Sequence, residues 1–279
     1  MFENLEVWWL SGTQLLYGEQ VLGQVDEHSN IMIDGINKSG NVPVKIVYKG
    51  TVKSAQEAEK LMKEANSAEN CVGVITWMHT FSPAKMWIKG LQALQKPMLH
   101  FHTQFNTEIP WNEIDMDFMN LNQSAHGDIE FGHACTRMRV NRKVVAGHWT
   151  NMDAQKKIGV WARTAAAVAD AKGVRCLMFG MNMNNVCVTD GDRAEFEQRL
   201  GYHVDYYPVS SLMNYFKQVT DAEVNALVEQ YKKEYTIKID ESGEEVYWEK
   251  VKNAAKAEIA IRRVLADEGA TAFTTNFDD

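Results

Sequence analysis

The chain has 279 residues, a length that suits one large or two ordinary domains. With 45% hydrophobic, 24% charged and 10% aromatic residues, 5 prolines and no low-complexity tract, it can bury a large core, which excludes disordered, collagen-like and coiled-coil classes. Thirty-seven acidic against 29 basic side chains leave a net charge of −8, so no positive field collects a phosphate backbone. Small molecules or other protein chains are the expected partners, not nucleic acid.

The first six residues are acidic in balance and no Lys or Arg precedes Lys38, so a basic export signal is missing. The most apolar run, Cys71 to Met78, is strand-sized, against roughly 18 residues for a membrane-spanning helix. Cys71, Cys135, Cys176 and Cys187 lie far apart with no CxxC pair, which favours free thiols over a disulfide or zinc framework. The expected setting is the cytoplasm.

In chain order, the aromatic and β-branched run Glu6 to Leu10 predicts a first strand, closed by the turn-rich Ser11-Gly12-Thr13. Val21, Val25, His28, Met32 and Ile36 then recur at three- and four-residue intervals, the stripe of an amphipathic helix. Val44 to Tyr48 predicts a second strand. Ser54 and Glu57 form a capping box for a helix carrying Ala58, Leu61, Met62 and Ala65. A third strand is expected over Cys71 to Trp77, a helix capped by Ser82 with Pro83 at its first position, and a fourth strand over Met98 to Phe101. One longer helix from Met119 to about Arg137, a short strand at Val144-Val145, and a helix from Asp153 to Ala171 ending at Gly173 complete the first half.

From Val174 the rhythm restarts: a strand to Phe179, a helix from Asp192 to Leu200, and a strand from Tyr202 to Tyr207. A helix opened by the Thr220/Glu223 capping box, a long helix from Val246 to Asp267 and a strand at Ala270 to Phe273 follow. Strands separated by helices cannot pair as hairpins. The expected fold is α/β, two doubly wound parallel sheets of Rossmann-like form, with domains over 1–173 and 174–279 and the second incomplete.

Ligands of open parallel sheets bind beyond the carboxyl ends of the strands. After the successive strands come Ser11, Thr13, Gln14 and Tyr17, then His79, Thr80 and Phe81, then His102, Gln104 and Asn106, then Gly180 to Asn185. Hydroxyls, amides, imidazoles and aromatic rings without Lys or Arg suit a neutral polyhydroxylated ligand, although loops are polar in any case. No GxGxxG follows the first strand, and neither GxxxxGK[ST] nor GxSxG occurs, so dinucleotide cradles, nucleotide phosphate loops and a nucleophile elbow are excluded. Gln123, His126 and Glu130 share one stripe of the helix expected after Met119. They read either as a ligand-facing set in which Glu130 orients His126 or as a solvated face. His100 and His102 alternate along a strand as metal ligands sometimes do, yet without a third donor in view a structural role is the simpler reading. His28 reads as a core-edge histidine. Glu258 pairs within its helix with Arg262, and Asp190 and Asp192 form a turn and a helix cap.

Three contiguous blocks, Trp77 to Trp87, Phe101 to Asn106 and Met116 to Gly127, resemble the bacterial L-arabinose isomerases, as do Gly12 to Gly18, Val188 to Asp192 and Ala272 to Thr275. The resemblance runs from Phe2 to the last residue. It implies an aldose–ketose isomerase acting on L-arabinose, often also on D-galactose, with a divalent metal, usually manganese. It also implies a hexamer with sites between subunits. The sugar-lining positions of that family match Gln14, Leu16, Tyr17, Phe81, Gln123, His126, Met183 and Phe277. The family's metal ligands, two glutamates and two histidines, follow a segment like that at Phe277. No metal or catalytic residue is therefore expected in this chain, which should enclose sugar without turning it over. The alternative is a non-catalytic sugar-binding or oligomerisation module; a periplasmic binding protein would need an export signal.

Overall fold

The computed structural model describes residues 2–241 and 243–276. The chain divides into two compact units, Met1–Ala169 and Asp170–Asp279. The first is built on β1 (Glu6–Gly12), β2 (Lys45–Val52), β3 (Cys71–Met78), β4 (Met98–His102) and β5 (Lys143–Ala146). All pair in parallel in the order β2-β1-β3-β4-β5. Connecting helices are α1 (Gly18–Lys38), α2 (Ala55–Ser67), α3 (Ile88–Ala93), α4 (Met116–Leu121), α5 (Ser124–Arg137) and α6 (Met152–Ala171). Strand side chains alternate between faces. Val7 and Trp9 of β1 accordingly enter one core with Met32, Ile36, Trp77, Phe101 and Ile158, while Trp8 and Leu10 enter another with Met62, Trp87 and Phe131. Cores on both faces make this the doubly wound sheet expected from the order of elements.

The second unit holds a three-stranded parallel sheet, β7-β6-β8, from β6 (Arg175–Phe179), β7 (His203–Tyr207) and β8 (Ala272–Thr275). Its helices are α7 (Arg193–Leu200), α8 (Val209–Gln218), α9 (Asp221–Glu234) and α10 (Glu244–Asp267). Val219, Val224, Val228, Ala255 and Ala260 form its main apolar cluster, and Leu177, Phe179 and Val264 a smaller one under the sheet. The molecule is thus mixed α/β with parallel, Rossmann-like sheets, the second small.

Several local expectations change. β1 runs through Ser11 and Gly12 instead of ending at Leu10, because the Ser11 hydroxyl is buried against Trp9 Nε1 (2.9 Å) and Ser29 Oγ (2.7 Å). The single helix expected over Met119 to Arg137 is two, α4 and α5. Asn122 leaves the helical region at φ −106°, ψ 58°, and its side-chain amide donates to the Phe118 carbonyl (3.0 Å), competing with the helix backbone. Ser82 does not cap a helix; its hydroxyl accepts the buried indole N–H of Trp87 (3.0 Å), and the following turn, Ala84–Trp87, is a 3₁₀ helix entered from Pro83. Helix α8 has no counterpart in the expected elements, and β8 lies two residues later than its apolar run suggests.

The capping box at Ser54 is only half formed. Ser54 accepts from Glu57 N (3.2 Å), but the Glu57 carboxylate takes the amide of Lys53 (2.8 Å) and not that of the cap residue. The box at Thr220 and Glu223 is complete. Ser54→Ala is expected to lower stability by about 1 kcal/mol in a denaturant melt, the usual worth of such a cap. An unchanged midpoint would mean the Glu57–Lys53 bond suffices to start α2.

Candidate functional site

The strand order 2-1-3-4-5 reverses direction between β1 and β3, and at such a switch point the connections leave to opposite sides and open a crevice at the carboxyl ends. The sequence places Thr13-Gln14 at the end of β1 and His79-Thr80-Phe81 at the end of β3. The two ends are joined. Buried Thr80 Oγ1 donates to buried Thr13 Oγ1 (2.7 Å), and Gln14 Nε2 donates to the Phe81 carbonyl (3.2 Å).

Helix α5 starts over the same crevice. Its N-cap residue, Gln123, donates its backbone N–H to the His79 carbonyl (3.0 Å), and Ser124 Oγ donates to the same oxygen (3.4 Å). That anchorage brings His126 onto Phe81, ring centroids 4.3 Å apart and 25° from parallel. Gly127 makes the approach possible, since a Cβ there would stand 2.9 Å from Met78 Cβ and 3.0 Å from the Thr80 carbonyl. The structure therefore brings Gln14, Phe81, Gln123 and His126 to one rim. Tyr17, half-buried, and Leu16, 84% exposed, sit on the 3₁₀ turn Leu15–Tyr17 that continues from Gln14. Met183 belongs to the second unit, in the loop beyond β6, lining a cavity with Gly180, Thr189 and Thr275. Phe277 lies outside the described residues.

Glu130 does not orient His126. Its carboxylate accepts the backbone N–H of Ala84 (3.0 Å), holding α5 to the turn after β3. His28 is more than a core-edge residue: its Nδ1 meets His79 Nε2 at 2.7 Å, and its ring stacks on Phe105 at 3.6 Å. His79 itself is sandwiched on Trp77 (4.4 Å), and burial, followed by the neighbouring His28, pushes its pKa down to about 3. This pair floors the crevice and was hidden in the sequence, because 51 residues separate its members and no local spacing signals their meeting. The third donor that His100 and His102 lacked is Asp128: His100 Nε2 lies 2.7 Å from its Oδ1. In the second unit Asp192 caps α7 by accepting from Ala194 N and Glu195 N, and Glu258 pairs with Arg262 (2.7 Å), both as expected.

Residues 1–173 match the family model of the L-arabinose isomerase N-terminal domain, and residues 175–279 that of the central domain. The chain belongs to the L-arabinose isomerase family. It is 59% identical over 280 residues to the L-arabinose isomerase of Phocaeicola vulgatus, a match covering 100% of this chain and 55% of that protein. Its identity to the L-arabinose isomerase of Bacteroides thetaiotaomicron is 58%, with the same coverage, and to that of Herpetosiphon aurantiacus 47%, over 99% of this chain and 55% of the relative. The chain thus spans about half the length of these L-arabinose isomerases. No helix among the described residues is long and apolar enough to cross a membrane.

Proposed function

We propose that this chain supplies the sugar-enclosing part of an L-arabinose isomerase, which interconverts L-arabinose and L-ribulose and, by the same chemistry, D-galactose and D-tagatose. The observation that carries the reading is the convergence of Gln14, Phe81, Gln123 and His126 at the switch point of the first sheet. Two primary amides and an imidazole can bond successive hydroxyls while the Phe81 ring packs against carbon-bound hydrogens, the mixed lining of a sugar pocket. Tyr17 and Leu16 would extend that wall, and Met183 and Phe277 are joined to the sugar-lining set by family likeness alone. A Leu16 side chain left 84% exposed supports a site closed by another subunit of a homo-oligomer, a hexamer by family likeness. Four free cysteines support a reducing cytoplasm as its setting.

Isomerisation needs a Lewis acid across the adjacent oxygens and a carboxylate to move a proton between carbons. The rim residues do not fit a manganese ion. They offer amides and one imidazole, and the nearby acid, Glu130, is held by the Ala84 amide. No step through the metal is assigned to them. Their work is to bind and orient the sugar, and the chain alone should form no ketose from L-arabinose with manganese added. Measured turnover would overturn this. Binding is tested separately by calorimetry with L-arabinose. His126→Ala and Gln123→Ala should each raise Kd about tenfold, the worth of one lost hydrogen bond. Unchanged affinity in both would remove these residues from the site.

A further inference from the structure

Beyond the carboxyl ends of β4 and β5 lies a second convergence of polar groups. His100 and His102 stand two apart on β4 and share a face, and α5 lays Asp128 across them. His100 Nε2 lies 2.7 Å from Asp128 Oδ1, His102 Nε2 3.0 Å from His100 Nδ1, and His102 Nδ1 4.0 Å from Asp128 Oδ2. One donor atom from each residue falls within 4.8 Å of the others, the one such trio of potential metal ligands found among the described residues. His100 is 0% and Asp128 3% exposed, while His102 and Asp128 open onto a cavity of about 490 Å³. Gln104 and Asn106 also line that cavity, and their Oε1 and Oδ1 atoms are buried without a hydrogen-bond partner, acceptors that call for a donor or a cation.

We propose that His100, His102 and Asp128 form a binding site for a zinc-class divalent cation whose open coordination position faces this cavity. Ligand nitrogens and oxygens about 2.0–2.2 Å from such an ion stand roughly 3.0–3.6 Å from one another, and one donor atom from each of the three residues lies within 4.8 Å of the others, so movements of about 1 Å would close them on an ion. Two imidazoles with a single carboxylate suit zinc or cobalt better than the harder manganese or calcium. Three protein ligands with a fourth position left to solvent is the pattern of metal sites that do chemistry, and the cavity provides that position. The Arg142 charge, which depresses both imidazoles, opposes the ion, and an ionised Asp128 offsets it.

The test is titration of the chelator-treated chain with cobalt alone, read by its visible absorption. One equivalent should bind with imidazole-type bands and be displaced by zinc. His102→Gln and Asp128→Asn should each weaken binding at least tenfold, while His203→Gln, which removes the exposed imidazole beside Glu197 and Asp205, should not. Absence of bands in the unaltered chain, their persistence in both cavity variants, or their loss in His203→Gln would each overturn the proposal. Because wild-type titration alone can refute it, a variant that fails to fold does not shelter it.

Discussion

Trp9→Ala is expected to cost about 3–5 kcal/mol of folding free energy, the range for emptying a large buried aromatic site. Trp9 is 0% exposed on β1, the strand flanked by β2 and β3. Its ring meets the edges of Trp77 and Phe101, both at 6.0 Å between centroids, pairs that add to simple area burial. Its indole N–H donates to Ser11 Oγ, which shares a hydrogen bond with Ser29 Oγ, which in turn donates to the Val25 carbonyl of α1. Truncation therefore opens a cavity beside two aromatic partners and unties a strand-to-helix link. Against a typical total of about 5–15 kcal/mol, that is about a fifth or more of what holds a domain together. Trp9→Phe keeps most of the ring and loses the hydrogen bond, and should cost only about 1–2 kcal/mol. Urea unfolding followed by far-ultraviolet circular dichroism distinguishes the two. A loss below 1 kcal/mol for the alanine variant would mean that the surrounding rings close over the gap. Gln14 leaves the same strand five residues on, so weaker sugar binding should accompany the fall in stability.

The sequence showed the alternation of strand and helix because that signal is local. Val7 to Leu10 alternate between two cores, and the stripe through Val25, Met32 and Ile36 is buried as its spacing requires. The rim was legible for a related reason. In a parallel sheet the residues that follow each strand share one edge, so Gln14 and Phe81 could be placed together from chain order alone. What failed was whatever depended on a partner far along the chain. Ser82 looked like a cap because Ser before Pro usually is one, but its hydroxyl is taken by Trp87. Glu130 sat one turn from His126 on the stripe, yet the Ala84 amide, 46 residues away, claims it. His100 and His102 announced themselves by alternation, whereas Asp128, 28 residues on, had no periodic relation to them. The helix break at Asn122 escaped because no Gly or Pro marks it; a side-chain amide bonding back to Phe118 does the work.

Lowering the pH from 7 to 5 is expected to cost the fold about 2 kcal/mol through His79 alone. Its ring is fully buried, stacked on Trp77 and hydrogen-bonded to His28 with Phe105 tilted beside it, and burial, followed by the neighbouring His28, pushes its pKa down from 6.5 to about 3. The unfolded chain takes up the proton that the folded chain refuses. The contribution is therefore whole above pH 6.5 and is lost progressively as the pH falls from there toward 3. His28, lowered first by burial with Glu27 acting against it, adds a smaller slope of the same sign. The His100–Asp128 pair does not add, because burial moves the imidazole down and the carboxyl up, giving opposite slopes that largely cancel. His79→Phe keeps a flat ring between the aromatic neighbours and removes the titration. The readout is the pH slope and not the absolute stability: urea midpoints of the unaltered chain should fall by the equivalent of about 2 kcal/mol more than those of the variant between pH 7 and 5. Parallel lines for the two proteins would show that His79 takes its proton in the folded state, and that the imidazole pair beneath the crevice opens readily to water.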